Sequence, residues 1–195
     1  MLQEKSHKQS ALSDSQLVTL ALKKQDAFEE LVNRYESKLF RYVLRFSGLT
    51  DQCAEDILQE VFVKIYRNLN DFDPSLKFSS WAYRITRNET INYIRKNKKN
   101  KNLSLQTDDE DTANLIDFLK SEDDIPEEIA KKELSAEVHE VLSRLPEKYK
   151  EVLVLRYLEE LDYSEISDIL KKPMGTVATL LNRAKSQFKT LAAHD

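Results

Sequence analysis

Glycine is almost missing from this chain of 195 residues, which contains only Gly48 and Gly175. Glycine-rich loops that cradle phosphate groups and the dinucleotide-binding fingerprint each need several closely spaced glycines. The sequence therefore excludes both kinds of nucleotide site. Proline is also scarce, with four residues, and this indicates long helices rather than many turns.

Cysteine and histidine are equally scarce. Cys53 is the single cysteine, so an intramolecular disulfide and a cysteine-based zinc site are excluded. The three histidines, His7, His139 and His194, have no partner at metal-ligand spacing. We therefore expect no metal, no cofactor and no catalytic residue, and we expect that the chain is not an enzyme.

Long apolar runs are missing as well. The first ten residues, MLQEKSHKQS, lack the apolar core of a signal peptide, and no segment approaches the length of a membrane span. We expect a cytoplasmic protein without membrane insertion. The formal net charge of −4 argues mildly against a nucleic-acid partner, so the distribution of charge has to decide that question.

Apolar residues recur at helical spacing through most of the chain. Ser13 with Gln16 predicts a capping box at a first helix, and Asp26 with Glu29 predicts another before a long helix that ends at Gly48. A third amphipathic helix follows. A loop broken by a proline then leads into a helix that begins with aromatic residues and ends with basic ones.

The composition divides the chain into two helical parts. Residues 108–128 are strongly acidic and poor in apolar side chains, which is typical of a linker. We predict an all-α fold of two small helical domains joined by an acidic flexible linker. The predicted bounds are 1–12 for a disordered N-terminus, 13–100 for the N-terminal domain, 101–130 for the linker and 131–191 for the C-terminal domain.

The end of the chain has the pattern of a helix-turn-helix. Asp162 and Glu165 form a capping box on a short helix, Pro173 blocks its continuation, and Gly175 opens a second helix. In such motifs the second helix enters the major groove of DNA. The residues predicted to bind DNA there are Thr176, Val177, Ala178, Thr179, Asn182, Arg183 and Lys185. A plain helical hairpin within a bundle is the alternative.

Four segments together resemble the extracytoplasmic-function group of sigma factors. Residues 142–157 (LSRLPEKYKEVLVLRY) resemble the entry helices of that family's C-terminal domain, and residues 175–185 (GTVATLLNRAK) resemble its promoter-reading helix. In the N-terminal half, residues 56–69 (DILQEVFVKIYRNL) are similar to the helix that grips the RNA polymerase clamp. Residues 78–88 (FSSWAYRITRN) are similar to the segment that opens the minus-ten promoter element.

The resemblance implies a polymerase-binding surface formed by Asp56, Gln59, Glu60 and Lys64, although a solvated helix face is the simpler interpretation of the same residues. It also implies a minus-ten DNA-binding surface, formed by Lys77, Ser79, Ser80, Trp81, Arg84, Arg87, Asn88, Asn92, Arg95 and Lys96. Trp81 is either a core residue or a platform for a melted base. The basic residues on the helix of this set, Arg84, Arg87, Arg95 and Lys96, form either a solvated face or a phosphate contact.

The implied partners are core RNA polymerase, promoter DNA and an inhibitory anti-sigma factor, with a monomer as the free form. The linker is then either an inert spacer or a segment that threads into the polymerase. The chain departs from the family at Ala178 and Leu180, where basic residues are common. One rival interpretation is a stand-alone helix-turn-helix regulator. The other is an enzyme acting on nucleic acid, which the absence of clustered carboxylates or histidines at metal spacing argues against.

Overall fold

The computed structural model describes residues 12–97 and 138–193, and the regular secondary structure in these two stretches is entirely helical. This confirms the prediction of an all-α chain for the described residues. We call residues 12–97 the N-terminal unit and residues 138–193 the C-terminal unit. The predicted linker over 101–130 lies outside the described residues, as does the predicted disordered N-terminus except for Leu12.

The N-terminal unit contains four α-helices and a short 3-10 turn over Leu69–Asp71. The α-helices are α1 (Asp14–Ala21), α2 (Gln25–Ser47), α3 (Asp51–Arg67) and α4 (Phe78–Asn97). They form a bundle in which α1 packs on α2, and α2 and α4 both pack on α3. Most residues of the apolar stripes lie inside this bundle, and Leu39, Tyr42 and Val61 are fully buried in it, whereas Tyr66 of α3 is 51% exposed.

Two of the predicted helix ends are confirmed. The Ser13 hydroxyl accepts from the Gln16 backbone N–H, and the Gln16 side chain accepts in return from the Ser13 backbone N–H. Gly48 ends α2 in the left-handed conformation at φ 68°, which glycine adopts without steric cost. The second predicted capping box is wrong, because α2 begins at Gln25 and places Asp26 inside its first turn.

The C-terminal unit begins with helical residues 138–144, which we call α5. The other helices are α6 (Glu147–Leu153), a π-helical turn (Val154–Leu158), α7 (Tyr163–Leu170) and α8 (Met174–Ala192). The apolar run over 152–155 is helical. Val152, Ile166 and Leu181 are fully buried where α6 and α7 pack on α8.

The two units pack against each other. Helix α4 of the N-terminal unit lies along α7 of the C-terminal unit, and α2 contacts the π-helical turn. The amino-acid sequence alone does not predict this contact. It brings the segment after the proline-broken loop, where α4 begins, next to the first helix of the helix-turn-helix.

Candidate nucleic-acid and polymerase interfaces

The turn between α7 and α8 is built by local hydrogen bonds. Asp162 caps α7 by accepting from the backbone N–H of Glu165 at 2.8 Å, which confirms the predicted capping box. Lys171 ends α7 in the left-handed conformation at φ 53°. The Ser167 hydroxyl then donates to the Lys172 carbonyl at 2.5 Å, and this bond fixes the turn. The arrangement is that of a helix-turn-helix.

Helix α8 presents an exposed polar face at its N-terminal half. Thr176, Thr179, Asn182 and Arg183 are exposed, whereas Ala178 and Lys185 are partly buried. The Lys185 ammonium group lies 5.3 Å from the centre of the Tyr157 ring.

Val177 does not belong to this exposed face. Its side chain is completely buried, and it shares the inward stripe of α8 with Leu181, Ala184 and Phe188. The prediction that Val177 contacts DNA is therefore wrong, because a side chain on the core face cannot reach a base edge. Val177 follows Thr176 in the motif but lies about 100° further around the helix axis, on the buried side.

The polar face of α3 is exposed at three of its four predicted residues. Asp56, Gln59 and Glu60 are exposed, and we call these three residues the clamp face. Lys64 is partly buried, and its ammonium group lies 2.6 Å from a Glu89 carboxylate oxygen on α4. Lys64 therefore links two helices of the same unit.

An open cleft of about 620 Å³ lies beside the clamp face, between α2 and α3. Phe40, Leu58 and Phe62 supply its apolar lining, and Gln59 lies at the cleft as well as on the clamp face. Phe40 and Phe62 are only partly buried. The helical periodicity predicts Phe62 to be a core residue, because periodicity alone does not reveal that the bundle leaves a gap beside it.

The predicted minus-ten residues are spread over three environments. Lys77, Asn88, Asn92, Arg95 and Lys96 are exposed, whereas Ser79, Arg84 and Arg87 are partly buried. We call these eight residues the minus-ten surface.

Ser80 and Trp81 are buried, so neither is available to DNA in this conformation. The Trp81 ring lies 5.4 Å from the Phe72 ring and 5.8 Å from the Phe78 ring, measured between centroids. Of the two interpretations of Trp81, the structure matches the core residue.

Carboxylates of the C-terminal unit reach several residues of the minus-ten surface. The Arg87 guanidinium donates to both carboxylate oxygens of Glu151, with the Nη2–Oε2 distance at 3.1 Å. Lys77 lies 3.0 Å from Asp162 and 3.3 Å from Glu165. The Glu165 carboxylate also accepts from the Ser79 hydroxyl at 2.9 Å.

A more deeply buried cluster lies beside these contacts. Glu159 accepts from the Arg45 guanidinium at 3.0 Å and from the Tyr83 hydroxyl at 2.6 Å. The side chains of Arg45 and Glu159 are 1% and 3% exposed. Neither residue is among those predicted from the sequence, although an arginine within the apolar run of α2 indicates a buried ionic partner.

The pKa values of these carboxylates are shifted by burial at Glu151 and Glu159 and by hydrogen bonds at Asp162. Burial raises the pKa of Glu151 and of Glu159, and hydrogen bonds from Arg87 and Tyr83 respectively act in the opposite direction. The pKa of Asp162 is held well below its usual range, first by the backbone N–H of Glu165 and further by the Ser164 hydroxyl and Lys77. Asp162 is therefore fully ionised at neutral pH.

Two further observations concern the described ranges as a whole. Within them, no group of three or more histidine, cysteine, aspartate and glutamate side chains is arranged to hold a metal ion. The helices found there are each too short or too polar to cross a membrane.

Comparison with known proteins identifies both units. The family model described as Sigma-70 region 2 matches residues 31–100, and the one described as Sigma-70, region 4 matches residues 135–188. The chain is 36% identical over 166 residues to the ECF RNA polymerase sigma factor SigW of Bacillus subtilis (strain 168), with 85% of this chain and 88% of that protein covered.

Two solved structures share the fold. CnrH, in complex with the cytosolic domain of CnrY, aligns with a TM-score of 0.68 at 23% identity, covering 93% of this chain and 98% of that one. The sigma factor RpoE from Bartonella quintana, in complex with the anti-sigma factor NepR, aligns with a TM-score of 0.64 at 17% identity, covering 86% and 98%. The interpretation of the chain as a stand-alone helix-turn-helix regulator does not account for the match of residues 31–100 to Sigma-70 region 2.

Proposed function

The chain belongs to the extracytoplasmic-function group of sigma-70 factors, and from this membership we propose which of its surfaces meet RNA polymerase and which meet promoter DNA. It is a promoter-specific factor that directs RNA polymerase to initiate transcription. The observation that carries this conclusion is the presence of both family regions in one chain, in order. A test of it is whether the purified chain lets core polymerase transcribe from a promoter that core polymerase alone ignores.

The N-terminal domain, over 13–100, is proposed to bind polymerase through the clamp face and the adjoining apolar cleft. Three exposed polar residues beside a partly open aromatic cleft provide both charge and apolar area for a partner. Interfaces of this kind commonly combine aromatic anchors with a polar rim. Lys64 is assigned a structural role instead, because it is paired with Glu89.

Replacing Asp56 and Gln59 together with alanine should weaken binding to core polymerase by about 10-fold or more, while the melting temperature stays within a few degrees. Both side chains are exposed, so little packing is lost. Binding is measured by competition with the native chain for core polymerase. The matched control is Glu29→Ala with Asn33→Ala, which removes one carboxylate and one amide from the exposed side of α2. Equal affinities for the two double variants would refute the clamp face.

The C-terminal domain, over 131–191, is proposed to read the minus-35 element with α8. Thr176, Thr179 and Asn182 are exposed where base edges would lie, and Ala178 offers an apolar contact. Arg183 and Lys185 are proposed to contact phosphates, which position the helix without reading sequence.

Asn182 and Arg183 are adjacent exposed residues, so substitutions at the two positions serve as controls for each other. Arg183→Ala should weaken binding of the holoenzyme to all promoters and reduce the salt dependence by about one unit of slope. Asn182→Ala should instead change which upstream sequence is preferred, since a good base contact contributes about 1–3 kcal/mol of discrimination. Holoenzyme binding at a series of salt concentrations measures the effect of Arg183→Ala. A selection from a promoter library measures the sequence preference of Asn182→Ala. An unchanged preference for Asn182→Ala would contradict its base-facing role.

The remaining assignments follow from the family. The minus-ten surface is proposed to hold the melted strand once the polymerase has docked, and the chain is proposed to contribute no catalytic chemistry of its own. A cytoplasmic location fits a partner of RNA polymerase. An anti-sigma factor is proposed as a further partner, because the related RpoE of Bartonella quintana was solved with one.

A further inference from the structure

The turn of the helix-turn-helix does not have its glycine where the backbone favours one. Lys171, which ends α7, has φ 53°, and a residue with a side chain is strained in that conformation. Gly175, in the first turn of α8, has a helical backbone that does not require glycine. The position that favours glycine therefore carries a lysine, and a position that does not need glycine carries one.

The conformation of Lys171 is imposed by the turn. The Lys171 backbone N–H donates to the Ser167 carbonyl, and the Lys172 backbone N–H donates to the same carbonyl at 3.1 Å. The Ser167 hydroxyl holds the Lys172 carbonyl, and the ring of Pro173 fixes the next φ. Because the backbone is held on both sides, Lys171 cannot relax, and a glycine at this position would make the turn more stable.

The Lys171 side chain makes no contact that would explain this strain. Its ammonium group is exposed and has no hydrogen-bond, ion-pair or ring partner among the described residues. Within the same two stretches, Glu160 is the other non-glycine residue with a positive φ, and Glu160 does have an interaction partner. Strain that persists at an exposed, unpaired side chain indicates a contact with a molecule outside the chain.

The space beside Gly175 is open. A methyl group on its Cα would meet no heavy atom of the described residues within 4 Å, apart from its chain neighbours and its own helix backbone. Packing inside the protein therefore does not exclude alanine, which is the more favourable residue in a helix. Met174 beside it is 56% exposed. Glycine at such an open position permits another molecule to approach the backbone closely.

The spacing of cations along the motif fits the width of a DNA major groove. Helix α8 carries no charged side chain from Met174 to Asn182, and its first cation is Arg183. This uncharged stretch is about 13.5 Å long. The major groove is about 12 Å wide, and phosphates line both of its edges. Lys171 before the stretch and Arg183 after it are therefore spaced to reach phosphates on opposite edges.

We propose that Lys171 contacts a DNA phosphate on the groove edge opposite Arg183, and that Gly175 lets the sugar-phosphate backbone approach the turn. The two residues fix how deeply α8 enters the groove, and they read no base. This inference rests on the proposed reading of the minus-35 element by α8. It adds a phosphate contact outside that helix, at a position where the free protein is less stable because of it.

Lys171→Gly separates this role from a structural one, because stability and DNA binding should change in opposite directions. The full chain should melt a few degrees higher, since the strain at this position is relieved. Holoenzyme binding to promoter duplex should weaken about 5- to 10-fold near 0.1 M salt, and the salt dependence should fall by about one unit of slope. A lower melting temperature or an unchanged slope would each overturn the proposal.

Two controls accompany this variant. Lys171→Arg keeps the positive charge at the turn and should bind promoter duplex like the native chain. Lys148→Ala removes the same charge from an exposed position on α6 and should leave the salt slope unchanged. A loss of slope in Lys148→Ala equal to that in Lys171→Gly would mean that net charge, rather than a contact at the turn, sets the affinity.

Gly175→Ala tests the close approach of the DNA backbone. The added methyl group should keep or raise the melting temperature and weaken holoenzyme binding to all promoters by about fivefold or more, because it holds the phosphates away from the turn. Ser186→Ala makes a comparable change of helix propensity at an exposed position on α8 and should bind like the native chain. Equal binding by the two variants would refute the close approach.

Arg183→Ala distinguishes failure of this inference from failure of the proposed function. If Arg183→Ala lowers the salt slope and Lys171→Gly does not, α8 still reads DNA and the contact at the turn alone is refuted. If neither variant changes binding, the minus-35 assignment of α8 fails as well.

Discussion

Replacing Phe188 with alanine is expected to lower the free energy of unfolding of the C-terminal unit by about 3–5 kcal/mol. The Phe188 side chain is 1% exposed on the inward stripe of α8, so its removal leaves a cavity beneath this helix. Because small domains have only about 5–15 kcal/mol of stability, much of the population should lose the helix-turn-helix at growth temperature. The proposed minus-35 recognition should then fail even though no residue proposed to face DNA has changed.

Denaturant unfolding followed by circular dichroism measures this loss. The matched control is Ser186→Ala, an exposed position two residues earlier on the same helix, which should stay within about 0.5 kcal/mol of the native chain. Similar unfolding midpoints for the two variants would mean that Phe188 does not support the core of the C-terminal unit.

Replacing Trp81 with alanine should destabilise the N-terminal unit by about 3–5 kcal/mol, because the indole is 6% exposed and packs on Phe72 and Phe78. Trp81→Phe keeps an aromatic ring in the cluster and should cost less. Denaturant unfolding of the two variants measures the difference.

Trp81 is the only tryptophan of the chain, so native fluorescence reports its environment without a label. We expect emission typical of a buried indole in the free chain. A stacking platform for a melted base would give a different result, in which Trp81→Ala keeps its stability and loses promoter opening. That outcome would replace the core assignment.

Much of the fold could be predicted from sequence because its determinants are local. The stripe that ends at Gly48, the capping boxes at Ser13 and Asp162 and the break at Pro173 each act within a few residues. The second capping box failed, since Asp26 with Glu29 has the right spacing but α2 had already begun at Gln25. A spacing rule does not fix where a helix starts when the preceding residue can also adopt helical angles.

The candidate sites could be predicted only in part. Exposed residues of α3 and α8 follow from helical periodicity, and the same periodicity should have excluded Val177, which lies on the stripe of Leu181 and Phe188. The contact between the units could not be predicted, because Arg45 and Glu159 are 114 residues apart and no local pattern relates them. Long-range pairs of this kind depend on how two finished bundles dock.

The double use of Asp162 and Glu165 has a consequence for how this protein can change over generations. Both residues cap α7, and both also hold Lys77 across the two units. A substitution that weakens the contact with Lys77 at either position also frays the first helix of the helix-turn-helix. Selection for a looser contact between the two units and selection for a stable α7 therefore act in opposite directions on the same two codons.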